Sequence, residues 1–273
     1  MLAALALSLS ACGSSSSGPS APTIAPAKVF SLAGFAPAAP VAPHVPTTVS
    51  FTVLEPSGQP LIRYKRGPGP HTGVHLIIVR DDLSLIIHDH PPVAADGKVG
   101  QSVSFPKPGA YRVLVDIYPD VPGAPRNLQL TETVHVTGTV VSEPIPPFRP
   151  VQTVHGYHFA VLGVPRLRAL QPGYLTVRIT DPAGKPAVPS TYYGALAHAI
   201  FFRTGSLDYF HTHVCAPGST ACAGFSGQPT GRPTKPGVLK VGVLVPVGGT
   251  WRLFLQARLG GQIVTAPYTL TVG

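Results

Sequence analysis

Two stretches decide the fold: GVHLIIVRDDLSLIIHDHP at residues 73–91 and LAHAIFFRTGSLDYFHTHV at residues 196–214. Each begins with a short run rich in Val, Ile, Leu or Phe, breaks at polar residues, and returns as a second run. Runs of that length bounded by turn formers read as paired strands, not helices. Each stretch carries a lone His followed thirteen residues later by His-x-His: His75, His88 and His90, then His198, His211 and His213. Arg80 and Arg203 sit at the same place in both.

The likeness continues outward. FTVLEPSGQP (51–60) lines up with LTVRITDPAGKP (175–186), and FPKPGAYRVLVDI (105–117) with VPVGGTWRLFLQA (245–257). Pro106, Gly109, Tyr111 and Arg112 thereby meet Pro246, Gly249, Trp251 and Arg252. Each half closes on a strand and a Gly, TETVHVTG (131–138) and TAPYTLTVG (265–273). One structural unit is therefore present twice. The units span 27–140 and 148–273, and SEPIPPFRP (142–150) links them. Its prolines cannot extend a central strand and should limit reorientation.

Strands are expected near 27–33, 47–54, 73–80, 83–89, 99–105, 110–117 and 129–137, then 154–162, 174–180, 196–203, 206–213, 238–244, 249–258 and 263–272. Seven short strands per unit predict an all-β chain of two tandem immunoglobulin-like β-sandwich domains. Composition agrees. Gly (29) and Pro (33) of 273 residues are about twice their usual share, which excludes a mostly helical protein. Tyr111 and Trp251, each entering a strand after a Pro/Gly turn, are expected in the core.

The first residues, MLAALALSLSAC, resemble a bacterial lipoprotein signal without its positive leader. Residues 1–12 are read as that signal, Cys12 as the lipidated residue, and 13–26 (GSSSSGPSAPTIAP) as a tether. The expected location is extracytoplasmic, secreted or held on the membrane by the lipid. In that oxidising compartment Cys215 and Cys222, seven apart in an insertion of the second unit, are expected to form a loop disulfide.

If Asp81-Asp82 and Thr204-Gly205 are two-residue turns, His75 faces His88 and His198 faces His211 across their hairpins. His90 and His213, two residues on, share the same faces. Two three-imidazole sites result, one per domain, suited to Cu(II) or Zn(II); the alternative is a set of structural histidines. Asp89 and Asp208 fall on the opposite faces, and His44, His71, His135, His155 and His158 have no place in the pattern.

These motifs resemble a group of secreted bacterial proteins with immunoglobulin-like domains, among them the periplasmic copper-handling (CopC/YtkA-like) β-sandwiches. The resemblance rests on His75, His88, His90, Pro106, Gly109 and Tyr111. Val214 in place of Pro91, and the cysteine insertion, depart from it in the second unit. It implies a membrane-tethered metal buffer or delivery protein; the alternative is an envelope lipoprotein that binds another protein. The net charge of +9 is scattered, and no nucleic-acid module is present. No nucleophile elbow, HExxH, P-loop or dinucleotide fingerprint occurs, so a non-enzymatic protein is expected.

Overall fold

A computed structural model describes residues 29–65, 73–217 and 230–273. Sixteen strands among them form four antiparallel sheets, two per domain. In domain 1 the sheet β1 (Ser31–Ala36), β2 (Pro46–Leu54), β5 (Lys98–Ser104) faces a second sheet. That sheet runs β4 (Ile86–Asp89), β3 (Val74–Arg80), β6 (Gly109–Ile117), β7 (Leu128–Val136). In domain 2 one sheet is β12 (Tyr209–Cys215), β11 (Ala195–Arg203), β15 (Gly249–Leu259), β16 (Gln262–Val272). The other is β13 (Arg232–Lys235), β14 (Val238–Val243), β10 (Gly173–Thr180), β9 (Tyr157–Val161), β8 (Val151–Val154). The all-β, tandem immunoglobulin-like architecture is thus as expected. Domain 2 departs in detail: its first strand divides at His155-Gly156, both at positive φ, and β13 adds an edge to the larger sheet.

Alternation along the strands fills each core. Val74, Leu76 and Ile78 point into the core of domain 1, as Ala197, Ala199 and Phe201 do in domain 2. The repeated Pro/Gly turn has a shared construction. Gly109 and Gly249 hold φ of 128° and 124°, and a Cβ there would lie 3.3 and 3.1 Å from Nε of Arg80 and Arg203. Tyr111 donates from its hydroxyl to the carbonyl of Lys107 (2.9 Å), and Trp251 from its indole to that of Val247 (3.1 Å). Both rings are buried, each tied to the turn four residues back, in the manner of a tyrosine corner.

The odd-numbered residues of β3 are just as buried as the even ones. Ile77, Val79 and Leu114 of domain 1 meet Ile200, Phe202 and Phe254 of domain 2 in a third apolar cluster. The two four-stranded sheets therefore pack outer face to outer face. The linker and the residue before it join in: Ile145 packs on this cluster, Arg80 donates to the carbonyl of Val141 (3.0 Å), and Thr269 donates to that of Pro146 (2.6 Å).

Two expectations need correction. The hairpin turns are longer than two residues. Leu83 and Leu207 adopt φ of 57° and 58°, and the closing bonds run from Arg80 N to Leu85 O and from Arg203 N to Asp208 O. Accordingly His88 pairs with Ile77, and His211 with Ile200, each two residues from the expected partner. The expected Cys215–Cys222 disulfide is also withdrawn. Cys215, at the end of β12, is not a free thiol, but Cys222 lies outside the described residues, so no Cys–Cys pair can be drawn among them. The signal, Cys12, the tether and His71 lie outside the described residues as well.

Candidate metal centre

A register error of two keeps every side chain on its face, where an error of one would have inverted it. His75, His88 and His90 therefore still converge, with ring centroids 6.0 Å apart for His75–His88, 4.3 Å for His75–His90 and 4.9 Å for His88–His90. The face they share is the one that packs against domain 2. There His198, His211 and His213 converge equally, at 5.5, 4.7 and 4.5 Å. The two predicted triads are consequently one cluster of six. His75 lies 5.0 Å from His211, and His88 lies 5.0 Å from His198.

These spacings obey a pseudo-twofold exchange of the repeats. His75–His211 maps onto His198–His88, and His75–His213 (6.0 Å) onto His198–His90 (5.7 Å). His88–His211, 5.2 Å apart, maps onto itself and marks the axis. An isologous contact between duplicated surfaces has this property.

Three of the rings have their outward nitrogens fixed. His75 Nδ1 lies 3.2 Å from Asp116 Oδ2, His88 Nδ1 lies 3.0 Å from Gln256 Oε1, and His198 Nε2 lies 2.9 Å from the carbonyl of Tyr192. Carboxylate and carbonyl oxygens only accept, so each of those nitrogens carries its proton. In the neutral ring the other nitrogen then keeps its lone pair and faces the cluster. Acceptors behind imidazoles orient metal-ligating histidines in the same way.

Asp116 is almost wholly buried and heavily bonded. It accepts from His75, from Asn127 and Gln129, and from the hydroxyl of Tyr209 across the domain boundary (3.1 Å). Burial, then the Asp116 charge, pushes the Tyr209 phenol far up, so it stays a donor. Gln256 donates to Thr265 Oγ1 (3.1 Å), which presents its carbonyl oxygen to His88. Tyr193 stacks flat on His90 at 3.9 Å, and the Tyr192 hydroxyl donates to the carbonyl of His88 (3.2 Å).

His211 is the exception. Its Nε2 lies 3.3 Å from His198 Nδ1, while its Nδ1 is buried with no hydrogen-bond partner. Burial, reinforced by His213, His75, His88 and His198, holds its pKa well below the ordinary histidine value, so the ring is neutral at pH 7. Two groups of three histidines have ligand atoms within 4.8 Å of one another: His75, His211 and His213, and His88, His198 and His211. Tetrahedral Zn(II) at about 2.0–2.1 Å from nitrogen sets its ligands about 3.3 Å apart. The His198–His211 nitrogens are at that separation, and those of His88 and His90 are 3.1 Å apart. The donor set, its orientation and the orphaned nitrogen fit a borderline divalent ion.

The remaining sequence candidates stand elsewhere. Asp208 bonds Arg203 and Ser206 on the hairpin turn, and Asp89 is raised by burial but lies outside both ligand groups. His158 bonds Thr153 at an exposed position; His44, His135 and His155 are exposed too. Asp116, Gln256, Tyr192 and Tyr193 escaped the sequence reading. For the first two a signal existed: the repeat alignment places them at equivalent positions, each beside the lone His of its domain.

Comparison with known proteins adds little to this geometry. Residues 152–273 match a family described as a domain of unknown function, DUF8832. No curated protein matches the chain. Among solved structures it is similar to the Escherichia coli adhesin FdeC, at 16% identity over 89% of this chain and 63% of that one, with a TM-score of 0.26. Invasin, a bacterial integrin-binding protein, gives 13% identity, 88% and 38% coverage and a TM-score of 0.23. The titin domains Z1Z2 give 13%, 91% and 98%, and 0.23. The chain thus spans less than two thirds of FdeC and of invasin, and likeness at these scores carries nothing over to the histidines.

Proposed function

We propose that this is a non-enzymatic, extracytoplasmic metal-binding protein in which two immunoglobulin-like domains share one histidine centre for Cu(II) or Zn(II). The observation that carries the reading is the orientation of His75, His88 and His198. Each is held from behind by an acceptor, and each aims its lone pair at the common space. Imidazole–imidazole hydrogen bonds, His90 to His88 at 3.1 Å and His211 to His198 at 3.3 Å, engage these lone pairs only pairwise. A set of ligands engages them together. Thioether ligands are absent, since Met1 is the only Met, which favours Cu(II) or Zn(II) over Cu(I). Buffering or delivery of the ion is the role proposed, with Cys12 as the lipid attachment site; fatty-acid labelling lost in Cys12→Ser tests the anchor.

A second reading has its own support. Tyr209–Asp116, His88–Gln256 and Tyr192–His88 join the two domains without any ion, as a rigid module for binding another envelope protein requires. One experiment separates the readings. Untagged protein is analysed for bound metal by mass spectrometry, then titrated with Cu(II) and Zn(II) beside a variant lacking all six histidines. Tight binding lost in the variant supports the centre; binding equal in both, or none in either, leaves the interaction module.

A further inference from the structure

We infer that the centre is dinuclear and that His211 bridges its two ions, one nitrogen to each. This deepens the metal reading and rests on it. The two ligand groups, His75/His211/His213 and His88/His198/His211, have one member in common. An imidazole's two nitrogens point away from each other, so a single ion cannot take both. Nε2 of His211 faces His198, 3.3 Å from that ring's Nδ1. Nδ1, on the far side of the ring, is buried and bonded to nothing. Buried polar nitrogens are rarely left so in folded proteins, and an orphan of this kind calls for a ligand.

The asymmetry of the cluster selects His211 over its repeat mate. The two residues lie together on the pseudo-twofold axis. His88 has its Nδ1 engaged by Gln256 and so offers one nitrogen. The position equivalent to Gln256 is Asp116, whose Oδ2 is already occupied by His75 and Tyr209. His211 is thereby left with neither nitrogen held by a group outside the cluster: Nε2 meets His198 and Nδ1 meets nothing. Bridging makes two metal–nitrogen bonds and breaks one N–H bond, and the proton goes to solvent. No electron moves. The imidazolate and the Asp116 carboxylate supply negative charge against the two dications.

The test uses the full chain, without a tag, titrated with Cu(II) and with Zn(II) and followed by calorimetry and by electron paramagnetic resonance. Two equivalents are expected. The first Cu(II) should give an ordinary mononuclear signal, and the second should diminish it, because copper ions coupled through an imidazolate pair their spins. Adding Zn(II) as the second ion should preserve the single-copper signal. His211→Gln should bind one equivalent fewer and show no coupling. One equivalent in the parent protein, or two whose signals simply add, overturns the bridge and leaves the metal reading standing. Zero equivalents overturns both. A His211→Gln protein that still binds two coupled ions also overturns the bridge. If that variant does not fold, the parent's spin coupling decides.

Discussion

The face shared by the two domains has two ends, and they are built on opposite principles. At one end Ile77, Val79, Leu114, Ile200, Phe202 and Phe254 make an apolar seam. At the other, two residues along β3 and β11 and on the neighbouring β4 and β12 hairpin arms, six imidazoles fill the same layer. His75, His88, His90 and His198 are buried like the apolar end, while His211 and His213 are half-buried, with His211 Nδ1 and His213 Nε2 shut away from water. The apolar end needs no further account, because burial of such side chains is what drives sheets together. The imidazole end places up to twelve ring nitrogens out of water, each of which costs free energy unless it is bonded. A duplicated domain seeking only adhesion would continue the apolar seam. The imidazoles stand where the interface can be dry, rigid and lined from both sides, which is what a ligand shell requires.

The largest effect should come from the apolar end. Phe202 is fully buried, and Phe202→Ala removes most of a ring from a packed seam. A loss of about 3–5 kcal/mol is expected from cavity formation. Urea unfolding measures it. A loss below about 1 kcal/mol would mean that the two sheets do not pack as described. Replacement of all six imidazoles by apolar residues should, in contrast, leave the folded state intact, because a buried polar cluster is replaceable by hydrophobic packing.

Next in size is the carboxylate behind His75. Asp116→Asn puts a donor where His75 and Tyr209 both donate, leaving a buried group unpaired, at an expected cost of about 1–3 kcal/mol. On the metal reading the same change also weakens binding roughly 10–100-fold, since His75 loses the partner that orients it. Calorimetric titration of the variant checks this. Destabilisation with unaltered affinity would assign Asp116 to the domain joint alone.

Much of this was legible beforehand, and the remainder was hidden for physical reasons. Strand positions followed from apolar runs and turn formers, and the histidine set from the repeat. The hairpin register did not, because it depends on Leu83 and Leu207 in left-handed backbone, a conformation that no property of leucine announces. The fusion of two triads into one was signalled and went unread. LIIV and AIFF are apolar on both faces of their strands, and a strand that reads so is covered on both sides. Tyr192 and Tyr193, which close the cluster over His90 and His198, reach it from the loop before β11, and loop paths are beyond pattern.

A smaller effect concerns pH. His211 is neutral when folded and has an ordinary pKa near 6.5 when unfolded. Its folded pKa is depressed, so the unfolded chain binds more protons as pH falls through about 6.5. Stability of the metal-free protein should be full above that pH and decline below it, by at most ~1.4 kcal/mol per pH unit for this group. Unfolding midpoints at pH 7.5 and 5.5 report it. His211→Asn should flatten the dependence; an unchanged slope would place the titration on other residues.

The smallest effect is the one that separates arrangement from composition. Eleven histidines would give some adventitious affinity for copper wherever they stood. His158, exposed and bonded to Thr153, and His135, exposed on β7, serve as controls. Changing both to Ala should shift stability by less than about 0.5 kcal/mol, as surface substitutions do. It should also leave the number of tightly bound ions unaltered, while changing His75 and His198 to Ala removes them. Equal losses from the two pairs would show that the chain binds metal through histidine content, and the shared face would then hold its imidazoles for packing alone.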